Sequence, residues 1–145
     1  MLVRAFQHAA IFVAVGVVCV PSGCSSDNPF HQVQAEGTVT YVDGSTIPGE
    51  YVELQFLPQT PPKDPRTHPR PGRAVVKTSD GSFDTVTSHK YGDGLVAGKH
   101  KVLVFSFDNQ RRPTGAVPPE FTEASSTPLE VDTAQLPWRL TIPKP

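Results

Sequence analysis

The chain reads as an all-β protein, a sandwich of about seven short antiparallel strands behind an N-terminal export segment. Three observations lead there. Segments of alternating apolar and polar residues recur along the chain, and turn residues separate them. Proline reaches 16 and glycine 11 among 145 residues, which is a turn-rich composition. Beyond the first residues no long apolar stretch has helical period. The formal net charge of −1 gives no electrostatic ground for a nucleic-acid partner or for an anionic membrane face.

The first residues set the compartment. Arg4 precedes the apolar run AIFVAVGVVCV at 10–20. That length suits the hydrophobic region of a signal peptide and falls short of the ~20 apolar residues a membrane span needs. Ser22 and Gly23 follow, then Cys24. The stretch Pro21-Ser22-Gly23-Cys24 resembles the lipobox of bacterial lipoproteins, with Pro21 where that pattern has Leu, Val or Ile. The resemblance implies a diacylglycerol thioether on Cys24, cleavage just before it, and Cys24 as the first mature residue. Plain secretion with an ordinary cysteine, and an uncleaved N-terminal anchor, are the other two readings. Cleavage before Cys24 would discard Cys19, leaving one thiol with no disulfide partner, and acylation accounts for that thiol simply. The organisation expected is a lipoprotein signal peptide at 1–23, a polar tether at 24–34 and a β-domain at 35–143. The 122 residues after position 23 suffice for a core without disulfides or metal.

Each strand has its own warrant. Over 33–44, Val33, Ala35, Gly37, Val39 and Tyr41 share one face. The turn residues DGSTIPG at 43–49 follow, and over 50–58 Val52, Leu54 and Phe56 alternate with Tyr51, Glu53 and Gln55. The two segments predict a hairpin or Greek-key arm. Residues 58–72 hold six prolines and predict an exposed extended loop, because proline removes backbone donors and fixes φ. Residues 73–87 predict a hairpin, with Ala74, Val76 and Thr78 alternating before a tight turn at Asp80-Gly81 and Phe83 and Thr85 after it. The segment 99–107 is apolar on both faces after Lys101 and predicts a central strand. Residues 108–125 predict a second polar loop. Leu129 and Val131, then Trp138, Leu140 and Ile142, predict two closing strands.

Several stretches in order resemble carboxypeptidase regulatory-like domains. These are GTVTYVDGSTIPGEYVELQF at 37–56, VKTSDGSFD at 76–84 and GLVAGKHKVLV at 94–104, with His100 where a tyrosine is usual. The run at 117–133 resembles the tail of small bacterial lipoproteins built on this domain. The resemblance covers about 35–142 and implies a transthyretin-like, Ig-like sandwich of seven strands. It also implies a non-enzymatic accessory module with no catalytic residues and no cofactor.

The residues, read independently, offer little chemistry. A His-Glu-x-x-His helix motif is absent, and His31, His68, His89 and His100 show no metal-ligand spacing. His100 is the only one expected to be partly buried, as a packed or hydrogen-bonded histidine at the core edge. The Asp-Gly-Ser triplets at 43–45 and 80–82 read as turns and not as nucleophile elbows. Gly92-Asp93-Gly94 reads as a structural turn. Lys63, Arg66, Arg70 and Arg73 gather around the proline-rich loop with almost no aromatic interleaving, which points away from a nucleic-acid platform and leaves contact with anionic envelope polymer open. The expected role is a lipid-anchored structural or protein-binding module of the cell envelope, on the periplasmic or surface side of a membrane. A carbohydrate-binding or nutrient-uptake accessory lipoprotein is the alternative, and Tyr51, Tyr91 and Trp138 are its candidate sugar platforms.

Overall fold

The computed structural model describes residues 28–145, so the expected signal segment and Cys24 lie outside the described residues. Ten strands are described: β1 (Gln32–Val33), β2 (Gly37–Tyr41), β3 (Tyr51–Pro58), β4 (Gly72–Val76), β5 (Ser82–Phe83), β6 (Val86–Thr87), β7 (Leu95–Val96), β8 (Lys99–Phe107), β9 (Glu130–Asp132) and β10 (Trp138–Ile142). They form a five-stranded sheet in the order β6-β4-β3-β8-β9, a three-stranded sheet in the order β10-β2-β5, and a β1-β7 pair. The protein is all-β, with two short 3₁₀ turns at Pro119–Thr122 and Thr133–Gln135.

Alternation puts the apolar residues between the two larger sheets. From the five-stranded sheet, Val52, Leu54, Phe56, Ala74, Val76, Val86, Val102 and Val104 are buried in one cluster. Val39, Tyr41, Phe83, Trp138, Leu140 and Ile142 enter the same cluster from the three-stranded sheet. Phe56 joins the two, with its ring centroid 5.9 Å from that of Phe83 and 5.6 Å from that of Trp138. Trp138 satisfies its indole N–H on the Asp132 carbonyl at 3.0 Å, so this polar edge enters the core at little cost.

The alternation over 50–58 and 136–143 matches the structure, whereas several pairings differ from expectation. β2 and β3 form no hairpin: the connection between them buries Ile47, and the chain passes from one sheet to the other. The turn at Asp80-Gly81 is present. Lys77 and Ser82 close it at 2.8 Å, and Gly81 has φ +74, where a Cβ would lie 2.5 Å from the Val39 carbonyl. The strand ladder expected across it is missing, because Phe83 turns into the shared core and β5 pairs with β2 instead of β4. β4 ends at Val76, leaving Thr78 exposed in the turn. β8 is an interior strand, and β3 holds the middle of the sheet.

The expectation of purely antiparallel pairing fails at β10, which runs parallel to β2 from Trp138↔Gly37 to Ile142↔Tyr41. β10 follows a long excursion from β2, so no tight turn dictates its direction. Gly37 lets the two backbones approach: a Cβ there would meet the Trp138 carbonyl oxygen at 2.5 Å. Part of the expected tether is also structured. β1 pairs with β7, His31 accepts a 2.9 Å bond from Ala97 N–H, and Phe30 is buried.

Candidate functional site

β3 presents its second face to solvent. Because the side-chain period is two, Tyr51, Glu53 and Gln55 point away from the core that Val52, Leu54 and Phe56 fill. Pairing sets β8 residues Phe107, Phe105 and Leu103 opposite them, and β4 residues Val75 and Arg73 opposite Glu53 and Gln55. The aromatic rings lie along this face. Tyr51 and Phe107 have centroids 6.3 Å apart, and Phe105 and Phe107 stack at 6.1 Å and 10°.

Glu53 organises the polar part. Its carboxylate accepts from the Tyr51 hydroxyl at 3.2 Å and from the Gln55 amide at 3.2 Å, with the Arg73 guanidinium at 3.9 Å. Burial, and the adjacent Glu53 charge, push the Tyr51 phenol above its ordinary range, so it stays protonated and donates. The Arg111 guanidinium sits over the Tyr51 ring at 4.5 Å. Arg111 reaches it from the 108–125 loop with φ +62, a left-handed conformation that disfavours a Cβ. Asp108 holds that turn: its carbonyl accepts from Arg111 N–H at 3.0 Å, and its carboxylate accepts from Gln110 N–H at 2.8 Å and Arg112 N–H at 2.9 Å.

Together these side chains line a groove of about 660 Å³ with Tyr51, Glu53, Arg73, Val75, Tyr91 and Arg111 along it. Val75 is 54 % exposed and Tyr91 89 %. These are two of the three large apolar side chains left exposed among the described residues, and both line this groove.

Of the sugar-platform candidates, the structure brings Tyr51 and Tyr91 together and separates Trp138, which is core. The structure brings His68 and His89 to one cavity, and no cluster of three metal-ligating side chains forms among the described residues. His100 is fully buried on β8, its Nδ1 3.2 Å from the Gly98 carbonyl and its Nε2 without a partner among the described residues. Burial depresses its pKa, opposed in part by the Gly98 bond and the Asp132 charge. Contrary to the expectation that His100 alone would be partly buried, His100 is buried outright and His89 is half-buried. Both Asp-Gly-Ser triplets are Asx turns. Ser45 N–H and Oγ donate to Asp43 at 3.0 and 2.6 Å, and Ser82 N–H and Oγ donate to Asp80 at 2.9 and 2.7 Å. Asp93 closes the 88–94 loop. Burial would raise its pKa, yet backbone N–H bonds from Lys90, Ser88 and His89 outweigh this and lower it.

Sequence reasoning missed Arg111 and the aromatic row on β8. Phe105 and Phe107 fall out of phase with Val102 and Val104, and that phase marks them as residents of the outer face. Arg111 carries no comparable signal, since its place follows from the turn built by Asp108. No family model, no curated protein and no solved structure matches the chain.

Proposed function

We propose that this chain is an exported, lipid-anchored, non-enzymatic module of the cell envelope that binds a protein partner through the outer face of its five-stranded sheet. On this reading Cys24 carries the lipid, residues 1–23 are removed, and the β-domain is a transthyretin-like sandwich of the carboxypeptidase regulatory-like kind. The observation that carries the binding role is the groove, where exposed Val75 and Tyr91 lie beside Arg111 and Arg73. Tyrosine and arginine are the residues that concentrate binding energy at protein interfaces, because each combines a large contact area with directional polar atoms. The carboxylates Glu53, Asp84 and Asp93 each bond within their own sheet or loop, which supports a binding surface over a reaction centre.

Pull-down from solubilised membranes compares the wild-type chain with a Val75→Ser, Tyr91→Ser double variant. A partner retained by the first and lost by the second supports the reading, and equal recovery by both opposes it. The intact mass of the protein from its native membranes tests the anchor. Acyl groups on an N-terminal Cys24, with release of a Cys24→Ala variant to the soluble fraction, support it, and an unmodified Cys24 opposes it.

A carbohydrate ligand is the second reading, favoured by Tyr51 and Tyr91 on one groove. Arg111 covers one face of Tyr51, leaving Tyr91 as the open ring. Binding on a glycan array that disappears with Tyr91→Ser would favour this reading over a protein partner.

A further inference from the structure

A second cavity lies where the described chain begins. It has a volume of about 200 Å³ and is bordered by Asn28, Phe30, Arg66, His68, Arg70 and His89. The proline-rich loop forms one wall. Lys63 ties that loop to the N-terminal segment: its ammonium donates to the Pro29 carbonyl and lies 5.3 Å from the Phe30 ring centroid. Asp64 fixes the loop tip, accepting from Arg66 N–H at 2.8 Å. Arg66 and Arg70 are exposed and make no salt bridge among the described residues. His89 lines the cavity, and its buried Nδ1 has no hydrogen-bond partner among the described residues. The nearby carboxylates are Asp64 and Asp93, and both accept backbone N–H bonds within their own loops.

We propose that this basic cavity binds the phosphate of an anionic lipid headgroup and seats the domain on the membrane. The proposal rests on the reading of Cys24 as the lipid attachment point. Cys24 and Asn28 are four positions apart, so an extended chain spans at most about 14 Å between them. An acylated Cys24 lies at the bilayer surface, which places Lys63, Arg66 and Arg70 within one or two screening lengths of the headgroups. Charge complementarity selects the occupant. The whole chain carries −1, so attraction to an anionic surface must come from this local cluster and not from net charge. Guanidinium groups match phosphate oxygens with paired N–H donors. The tether also raises the effective headgroup concentration, so a weak pocket suffices. A loop that reads from sequence only as exposed and extended thereby gains a task.

Hydrogen exchange on the acylated, full-length mature protein tests this, in vesicles of phosphatidylcholine alone and in vesicles with added phosphatidylglycerol. The expected result is exchange at 63–70 and 89–90 slowed roughly ten-fold by phosphatidylglycerol. An Arg66→Gln, Arg70→Gln variant should lose that slowing while staying membrane-attached, because each cation near the surface adds to the attraction. Equal exchange in the two vesicles, with Cys24 shown by mass to be acylated, would overturn the pocket and leave the anchor standing. A mass without acyl groups on Cys24 would overturn both. Inorganic phosphate producing the same slowing in phosphatidylcholine vesicles would assign the cavity to a free anion and overturn the lipid headgroup.

Discussion

The two faces of β3 contrast within a single strand. Val52, Leu54 and Phe56 are at most 1 % exposed and belong to the core cluster that both sheets supply, whereas Tyr51, Glu53 and Gln55 are half-buried and bond mainly to one another. The inner face is held by apolar burial and tolerates little change. The outer face holds itself together with polar contacts and leaves a groove beside them, the groove to which the proposed binding role is assigned.

The largest expected effect breaks the inner face. Phe56→Ala removes the ring that joins Phe83 and Trp138, and should cost about 3–5 kcal/mol, read as a lowered urea midpoint. On the outer face, Tyr91→Ser should change stability by less than ~0.5 kcal/mol in the same experiment. A loss at Tyr91 comparable to that at Phe56 would erase the distinction between the faces.

His100 sharpens the comparison from inside the sheet. Its folded pKa is depressed below the ordinary 6.5, so the unfolded chain binds the extra proton first. Stability from this group is therefore present above about pH 6.5 and is lost as pH falls through that value toward the folded pKa. A His100→Gln variant should flatten the stability profile just below pH 6.5, measured by urea midpoints at successive pH values. An unchanged slope would show that another group titrates there. Asp64, Asp80 and Asp108, whose pKa values bonds to neighbouring groups depress below 3.8, act lower: their contribution is present above that value and fades beneath it.

Arg111→Gly should be as mild for stability as Tyr91→Ser. Relief of the left-handed strain offsets the lost contact with Tyr51 and the added backbone entropy, leaving stability within about 0.5 kcal/mol. Partner capture should nevertheless fall. Capture unchanged by this variant would remove Arg111 from the binding face.

What could be read from the sequence follows from range. The alternation of β3 and β10, the turn at Asp80-Gly81 and the burial of Trp138 are local patterns, visible in a few consecutive residues. Pairing partners are not local. Nothing near Phe83 states that β5 joins β2, and nothing near Trp138 states that β10 lies parallel to β2. The groove is intermediate. Tyr51 and Tyr91 are legible as aromatic candidates, but their shared groove depends on where the 88–94 loop and the Asp108 turn set down on the sheet.

The most direct test of the binding face is site-specific photo-crosslinking in intact cells, with the photoreactive residue at position 91 or, on β10 of the other sheet, at position 141. A discrete crosslinked species is expected from 91 and none above background from 141. Equal yields from both positions, or none from 91, would contradict a binding face on the outer side of the five-stranded sheet.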